Sequence, residues 1–176
     1  MEKRENQWIP IGKLLLRLLS NMCFVDNVVS LINKKVEIEI EDIPSLLGEV
    51  EKLEIIRELE TKNIDPAITE AMANLRNQLR DKIEQNETQE WIPIGKLIIS
   101  NLEKESQGST FYEFMLNLIL NRVKIEKESI LEIIKLLDKE ELENMRSAEE
   151  LGLGYYFNPK LPRARLILHE QYSQRA

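Results

Sequence analysis

The chain has a single cysteine and a single histidine among its 176 residues. Cys23 has no second cysteine with which to form an intramolecular disulfide, which favours a reducing compartment such as the cytoplasm. It lies in the apolar context NMCFV and is expected to be a small core residue. With His169 as the only imidazole, zinc sites with paired histidines and Glu-x-x-His di-iron sites cannot be built. The sequence therefore indicates no metal site and no cofactor.

Long hydrophobic runs are also missing. The most apolar clusters, KLLLRLL and FYEFMLNLILN, are interrupted by Arg17 and Asn117. Both are shorter than the roughly 20 apolar residues that cross a bilayer. The first residues, MEKRENQW, have no apolar segment of the kind found in signal peptides. We therefore expect a cytoplasmic protein without a membrane partner.

Catalytic motifs are equally scarce. The chain contains neither G-x-S-x-G nor G-x-G-x-x-G, and GLG at 152–154 is typical of a helix stop. Glutamate runs such as EIEIED and DKEELE could bring two carboxylates together for acid–base chemistry or Mg²⁺ binding. Solvated helix faces produce the same runs, so an enzyme with a carboxylate-bound metal is the least favoured alternative. We expect no catalytic residues and no enzyme activity.

The charge is acidic overall, with a net value of −7. Such a surface repels nucleic acid over most of its area. The C-terminal stretch is different, because residues 156–176 carry four cations and one acidic group: Lys160, Arg163, Arg165, Arg175 and Glu170.

Aromatic residues flank these cations, and the combination permits a nucleic-acid site, since aromatic rings can stack on bases while arginines hold phosphates. Under this alternative the contact residues are Tyr155, Tyr156, Lys160, Arg163 and Arg165. The simpler interpretation, which we favour, is that the basic stretch packs against an acidic surface of its own or a neighbouring chain.

A seven-residue segment occurs twice without a change. WIPIGKL stands at Trp8–Leu14 and again at Trp91–Leu97. Further along, VEIEIEDIPSLLGEVEKLEII from Val36 aligns with VKIEKESILEIIKLLDKEELENM from Val123. The extra residues of the second copy fall near ESQGST at 105–110, a composition typical of a surface loop. An identical segment containing Trp, Pro and Gly is improbable by chance, so we infer a tandem duplication.

The duplication predicts four segments: a helical repeat unit at 1–65, a connecting helix at 66–87, a second repeat unit at 88–150 and a basic C-terminal tail at 151–176. The fold class is all-α, a helical bundle whose two units are related by an approximate two-fold axis. Alternating apolar residues leave room for short β segments near 36–40 and 123–127. The segment 164–169 is open between a strand and the start of a last helix.

Helix starts can be placed from proline and capping residues. Pro10 and Pro93 suit a first helical turn, where no backbone N–H is needed. Asp65 followed by proline opens a helix to about residue 85, and Asp26 and Thr110 are candidate N-caps. In the helix after Asp65 the apolar positions form one stripe, which is expected to be its buried face: Ile68, Met72, Leu75, Leu79 and Ile83.

The WIPIGKL motif has two main interpretations. In the first, which we favour, it is a structural corner in which the indole and the aliphatic side chains fill a core. In the second it is a recognition surface presented twice, with tryptophan as the anchor of a protein interface. A phosphate-binding loop is disfavoured, because the full P-loop pattern is absent. The candidate partner-binding residues are Trp8, Ile9, Lys13, Trp91, Ile92 and Lys96.

The sequence therefore predicts a non-enzymatic cytosolic adaptor or regulator that acts by binding another protein, with two similar surfaces that allow bivalent engagement. The alternative is an accessory subunit of a nucleic-acid-processing complex that contacts RNA or DNA through the basic tail. The partner, the pathway and the choice between monomer and homo-oligomer are open at this stage.

Overall fold

A computed structural model of the chain describes residues 8–20, 24–85, 90–104, 109–152 and 158–175. Within these ranges the chain forms α-helices and no β-strand, which confirms the all-α prediction. The helices are α1 (Ile11–Leu19), α2 (Val25–Asn33), α3 (Ile43–Thr61), α4 (Pro66–Ile83), α5 (Ile94–Lys104), α6 (Thr110–Leu120), α7 (Lys127–Leu151) and α8 (Lys160–Gln174).

Local sequence explains most helix boundaries. Pro10 precedes α1, and Asp65 caps α4 by accepting a hydrogen bond from the Ala67 amide at 2.9 Å. α3 ends at Lys62 and α7 ends at Gly152, each in the left-handed conformation that satisfies the last carbonyls of a helix. These boundaries follow from residues within one turn of each helix end.

The described helices divide between two compact units. The N-terminal unit is Ile9–Ile94, in which α4 packs against α2 and α3, and α1 packs against the same two helices. The C-terminal unit is Gly95–Ala176 together with Met1–Trp8, and in it α8 packs against α6 and α7. These boundaries differ from the four segments that the sequence predicts.

Each unit has its own apolar core. In the N-terminal unit the core includes Leu14, Leu31, Ile43 and Leu75, all with no more than traces of exposed surface. In the C-terminal unit α6 is largely buried, as its nearly uniform apolar composition predicts, and its buried residues are Tyr112, Phe114, Met115, Leu116, Leu118 and Ile119. None of the helices in the described ranges combines the length and apolarity needed to cross a membrane.

Several sequence predictions need correction. Segment 164–169 is not a strand, because it lies inside α8. Pro162 is tolerated in the first turn of that helix, where backbone N–H groups have no intrahelical partner. Residues 36–40 form no strand: Val36 makes an isolated parallel bridge with Ile92, and a short 3₁₀ turn begins at Ile40. Residues 124–126 are extended without pairing in a strand.

Two N-cap assignments are also wrong. Asp26 lies inside the first turn of α2, where it pairs with Arg57 of α3 at 2.8 Å. Ser109, not Thr110, caps α6 by accepting a hydrogen bond from the Tyr112 amide at 3.1 Å.

The buried face of α4 turns away from the predicted stripe near its end. Ile68, Met72 and Leu75 are buried, but Ile83 is exposed. The polar residue Gln78 is buried in its place. The reason is that Gln78 makes hydrogen bonds to the extended segment that begins at Val36.

Candidate functional site

The extended segment of the N-terminal unit is held by one buried amide side chain. Gln78 Oε1 accepts a hydrogen bond from the Ile38 amide at 2.7 Å, and Gln78 Nε2 donates to the Val36 carbonyl at 3.0 Å. An extended segment without a neighbouring strand leaves such backbone groups without partners, and burial of an unpaired group is costly. The side chain of Gln78 thus makes the hydrogen bonds to this backbone that an adjacent strand would otherwise make.

The second WIPIGKL motif completes this arrangement. The Glu37 amide donates to the Ile92 carbonyl at 2.7 Å, and the Ile92 amide donates to the Lys35 carbonyl at 2.8 Å. The Trp91 indole N–H donates to Asp81 Oδ2 at 2.9 Å, and the Lys35 ammonium lies 5.6 Å from the ring centroid. Trp91 is therefore held in place by the Asp81 carboxylate, by the Lys35 ammonium and by the backbone hydrogen bonds of Ile92.

The C-terminal unit repeats the amide arrangement with different residues. Gln171 Oε1 accepts from the Ile125 amide at 2.8 Å, and Gln171 Nε2 donates to the Val123 carbonyl at 3.1 Å. The tryptophan in this unit is Trp8, whose indole N–H donates to Gln174 Oε1 at 3.0 Å. The Arg122 guanidinium lies 5.2 Å from the centre of that ring.

Each tryptophan lies in the unit that is formed mainly by the other half of the chain. Trp8, from the first motif, belongs to the C-terminal unit, and Trp91, from the second motif, belongs to the N-terminal unit. The N-terminal unit begins at Ile9, inside the first motif, and the C-terminal unit resumes at Gly95, inside the second. Each motif therefore has residues in both units. The sequence did not predict this exchange.

The glycine of each motif makes room for a glutamate that caps a helix. The Gly12 amide donates to Glu39 Oε1 at 3.0 Å at the start of α1. At the start of α5, Glu126 accepts from the Gly95 and Lys96 amides at 2.8 and 3.0 Å. A carboxylate at a helix N-terminus satisfies free amides and complements the helix dipole.

No side chain larger than glycine fits at these positions without displacement of neighbours. A Cβ atom at Gly95 would lie 2.7 Å from the carboxylate of Glu126 and from Cβ of Ser129. A Cβ atom at Gly12 would lie 2.7 Å from Cβ of Asp42. The glycine of WIPIGKL therefore has a packing role in both units.

The lysines of the two motifs lie at the surface. Lys13 donates to Asp42 at 3.2 Å, and this hydrogen bond raises the pKa of the Lys13 amine. Lys96 is exposed. Asp42 is itself nearly buried and precedes α3, and its carboxylate accepts from the Lys13 ammonium without making a side-chain cap at that helix start.

The six candidate partner-binding residues therefore do not form one exposed patch. Trp8 is only 6% exposed, and Trp91, Ile9 and Ile92 are half-buried. The internal contacts of both indoles are typical of a structural corner. Their role in partner binding stays a prediction.

Three cations of the predicted basic tail lie on α8, Arg175 follows the helix, and two of those on the helix are paired with carboxylates. Lys160 pairs with Glu113 at 2.9 Å, and Arg165 pairs with Asp138 and Glu141 at 2.7 and 2.6 Å. Arg163 is exposed. Tyr155 and Tyr156 fall outside the residues that the structure describes.

α3 has an outward apolar face that sequence analysis missed. Its inner face buries Ile43, Leu46 and Val50. On the opposite side Ile55 and Leu59 are 58% and 76% exposed, with Ile56 beside them; we call Ile55, Ile56 and Leu59 the α3 face. Residues four apart share one side of a helix, so Ile55 and Leu59 are adjacent.

α7 has a comparable outward face. Leu131, Leu142 and Met145, which we call the α7 face, are exposed, while Ile130, Ile133, Ile134 and Leu137 are buried. A shallow depression beside Leu142 is lined by Lys135, Asp138, Lys139, Glu143 and Arg146.

A sequence signal for these structural features does exist. Leu75-Arg-Asn-Gln78 and Leu168-His-Glu-Gln171 place glutamine one turn after a buried leucine in both units. Similarly, α3 has apolar residues on opposite sides of the helix, which is unusual for a helix with one buried face.

Among the described residues, no group of three or more His, Cys, Asp or Glu side chains is arranged to hold a metal ion. The described surface is instead characterised by two outward apolar helix faces. Comparison of the chain with protein-family models, with curated proteins and with solved structures found no match.

Proposed function

We propose that the chain is an internal duplication of a four-helix unit, in which α4 and α8 are counterparts. The spacing supports this proposal, because four pairs of buried residues along the two helices are each 93 positions apart: Ile68/Leu161, Ala71/Ala164, Leu75/Leu168 and Gln78/Gln171. Asp81 and Gln174, which each accept a hydrogen bond from a tryptophan indole, have the same spacing. Under this proposal the predicted connecting helix and the predicted tail are the last helices of equivalent units.

The extended segments support the same equivalence. Val36 and Val123 are 87 positions apart, and both are bound through their carbonyl oxygens to a buried glutamine. The residues before them, Lys35 and Arg122, are both left-handed, with φ of 68° and 66°, and both lie over a tryptophan ring. Four shared features at matching positions are hard to explain by common helical composition.

The function that we propose is that of a non-enzymatic cytoplasmic adaptor or regulator that binds another protein. The observation that carries it is the α3 face, whose apolar side chains lie opposite the buried side of the same helix. Single exposed apolar residues are common on soluble proteins, but adjacent ones on one helix side favour a contact surface.

The α7 face supports a second contact surface. Leu142 is 87 positions after Ile55, the same spacing as Val36 to Val123, and it is 60% exposed. Two contact surfaces that share this one matching position would permit bivalent binding, in which the second contact benefits from a high effective concentration.

The nucleic-acid alternative has less support. A phosphate contact from Lys160 or Arg165 would have to replace an existing carboxylate partner. Arg163 is the exposed cation of the predicted set on α8. One exposed arginine on a chain with a net charge of −7 is a weak basis for polyanion binding.

A photocrosslinking amino acid at position 59 tests the proposed adaptor function. The full chain would be produced in its native cells, with the same amino acid at position 83 as the matched control, because Ile83 is a comparably exposed but isolated apolar residue. We expect a discrete crosslink to another protein from position 59 and none from position 83. Equal crosslinking from both positions, or none from position 59, would contradict the proposal.

A further inference from the structure

We propose that the α3 face of one chain binds the α7 face of a second copy of the chain, so that molecules associate head to tail. This inference rests on the proposed function, since it assigns a partner to the same two faces. We infer a second copy of the chain as the partner from charge. Both faces have an apolar centre, and their charged edges are of opposite sign.

The α3 face is bordered by glutamates. At about 100° per residue, Glu51 and Glu58 fall on one edge of the line through Ile55, and Glu60 falls on the other edge beyond Ile56. All three glutamates are exposed, and the side chain of Glu51 is 52% exposed. Glu51 also pairs with Arg76 at 3.6 Å, but both partners are more than half exposed, and such pairs contribute little.

On α3 itself, positive charge lies away from the edge formed by Glu51 and Glu58. Arg57 points to the opposite side, where it pairs with Asp26 and Asp65 at 2.8 Å each. Lys52 lies on the outward side and pairs with Glu49 at 3.1 Å. The acidic edge along Glu51 and Glu58 is thus the main charged feature beside Ile55.

The α7 face has a basic edge. Lys135, Lys139 and Arg146 are exposed and fall on one side of Leu142. On the other side of Leu142, Asp138 is already paired with Arg165, and Glu149 is exposed two turns beyond Leu142. Glu143 lies farther round the helix, beyond Lys139 and Arg146.

The two edges match in length and in position. Glu51 and Glu58 are seven residues apart, as are Lys139 and Arg146, and each pair spans about 10.5 Å of helix. Ile55 lies between the two glutamates, and Leu142 lies between the two cations. When Ile55 is placed against Leu142 with the helices parallel, each glutamate comes level with a cation to within about one residue, or ~1.5 Å.

The charges also disfavour the symmetric alternatives. Two α3 faces would bring glutamates together, and two α7 faces would bring lysines and arginine together, which like-charge repulsion opposes. A contact between unlike faces leaves one free face of each kind on every dimer. Association is therefore expected to continue beyond the dimer with rising concentration.

Charge reversal of each edge in the full chain tests the proposal by sedimentation velocity over a range of concentrations. The first variant is Glu51→Lys with Glu58→Lys, and the second is Lys139→Glu with Arg146→Glu. We expect the average mass of the wild type to rise with concentration, with a Kd on the order of 10–100 μM, as is usual for a small interface. Each variant alone should stay monomeric.

An equimolar mixture of the two variants provides the decisive measurement. The reversed α3 edge of the first variant is complementary to the reversed α7 edge of the second, and their unchanged edges are complementary as well. The mixture should therefore associate, although neither component does so alone. Glu70→Lys with Glu84→Lys changes one exposed glutamate of α4 and the exposed glutamate that follows the helix. It makes the same change in net charge as the first variant, is the control for that variant, and should behave as wild type.

Two outcomes would overturn the inference: a wild type that is monomeric at all concentrations, or an association that neither charge reversal weakens. Circular dichroism of each variant checks that the fold is retained. If the wild type is monomeric while position 59 still crosslinks to another protein, only the self-association is wrong. If position 59 crosslinks only to a second copy of the chain, the self-association stands and the adaptor function fails.

Discussion

One methyl group separates glycine from alanine, and the start of α5 has no space for it at Gly95. The Glu126 carboxylate approaches the Gly95 amide to 2.8 Å, and Glu126 and Ser129 occupy the volume into which a side chain would project. Gly48, on the outer side of α3, has no atom within 4 Å of the same position. The same residue type therefore has opposite consequences at the two sites.

We expect Gly95→Ala to lower the free energy of unfolding by about 1–3 kcal/mol, because overpacking displaces the capping carboxylate. Gly12→Ala should act in the same direction, since its neighbour is the Cβ atom of Asp42. Gly48→Ala, the matched control, should raise stability by about 0.5–1 kcal/mol through helix propensity. Urea unfolding measures all three, and a stabilising Gly95→Ala would contradict the packing role of the motif glycine.

A buried phenol supplies a pH dependence. Burial of Tyr112, followed by the nearby carboxylates of Glu140 and Glu113, raises the pKa of its hydroxyl above the ordinary value near 10. The folded protein therefore keeps a proton that the unfolded chain releases. Its contribution to stability is complete below about pH 10 and is lost as the pH rises from there towards the pKa of the folded state.

We expect the free energy of unfolding of the wild type to fall above about pH 10 by up to ~1.4 kcal/mol per pH unit from this group. Tyr112→Phe should remove that part of the slope. Tyr172→Phe, which changes a half-exposed ring, is the control. Denaturant unfolding between pH 9 and 11 tests this, and equal slopes for wild type and Tyr112→Phe would show that other groups cause the alkaline loss.

At the scale of an element, α4 and α8 do more than cover a core. Each carries a glutamine that satisfies two backbone groups of an extended segment, and one turn later a polar side chain that binds an indole. These helices therefore hold the segments that precede α3 and α7.

We expect Gln78→Ala to destabilise the fold by about 1–3 kcal/mol for each buried group left unpaired, the Ile38 amide and the Val36 carbonyl. Hydrogen exchange at Ile38 should become faster as well. Asn77→Ala, at the exposed neighbouring position, is the control and should have little effect. Unchanged protection at Ile38 would mean that the glutamine does not hold the segment.

The two tryptophans can be observed one at a time, because the chain has no others. Trp91→Phe leaves Trp8, and Trp8→Phe leaves Trp91. We expect acrylamide to quench Trp91 more strongly than Trp8, since Trp91 is half-buried while Trp8 is nearly enclosed. Equal and strong quenching of both rings would instead favour the interpretation of the motif as an exposed recognition surface.

At the scale of the whole molecule, charge limits the choice of partner. The net charge is −7, and two of the cations on α8 that could oppose it already face carboxylates. Basic residues that neutralise the protein's own acidic groups are unavailable for counterion release from a nucleic acid.

We therefore expect no binding of a fluorescently labelled single-stranded RNA by the full chain at low salt, measured by anisotropy. Binding would support the nucleic-acid alternative only if it had the salt dependence of direct phosphate contacts. Log affinity would fall against log salt with a slope of about −2 to −3, as three phosphate contacts require. Substitution of Arg163 and Arg165 by alanine would then flatten that slope.

Sequence alone was sufficient for the features that depend on neighbours along the chain. The starts of α1 and α4 follow from Pro10 and from Asp65 with its proline, and the burial of α6 follows from its apolar composition. Proline conformation, capping and helical periodicity act within one or two turns, so a linear pattern contains the necessary information.

Tertiary structure decided the features that depend on distant partners. The burial of Gln78 requires backbone groups 40 and 42 residues away, and the acceptor for the Trp8 indole is 166 residues away. The segment 164–169 is compatible with either a strand or a helix by composition, and it is helical because Leu161, Ala164 and Leu168 pack on one side of α8. No local pattern encodes such pairings, because the free energy that selects them is gained only when both partners are brought together by the fold.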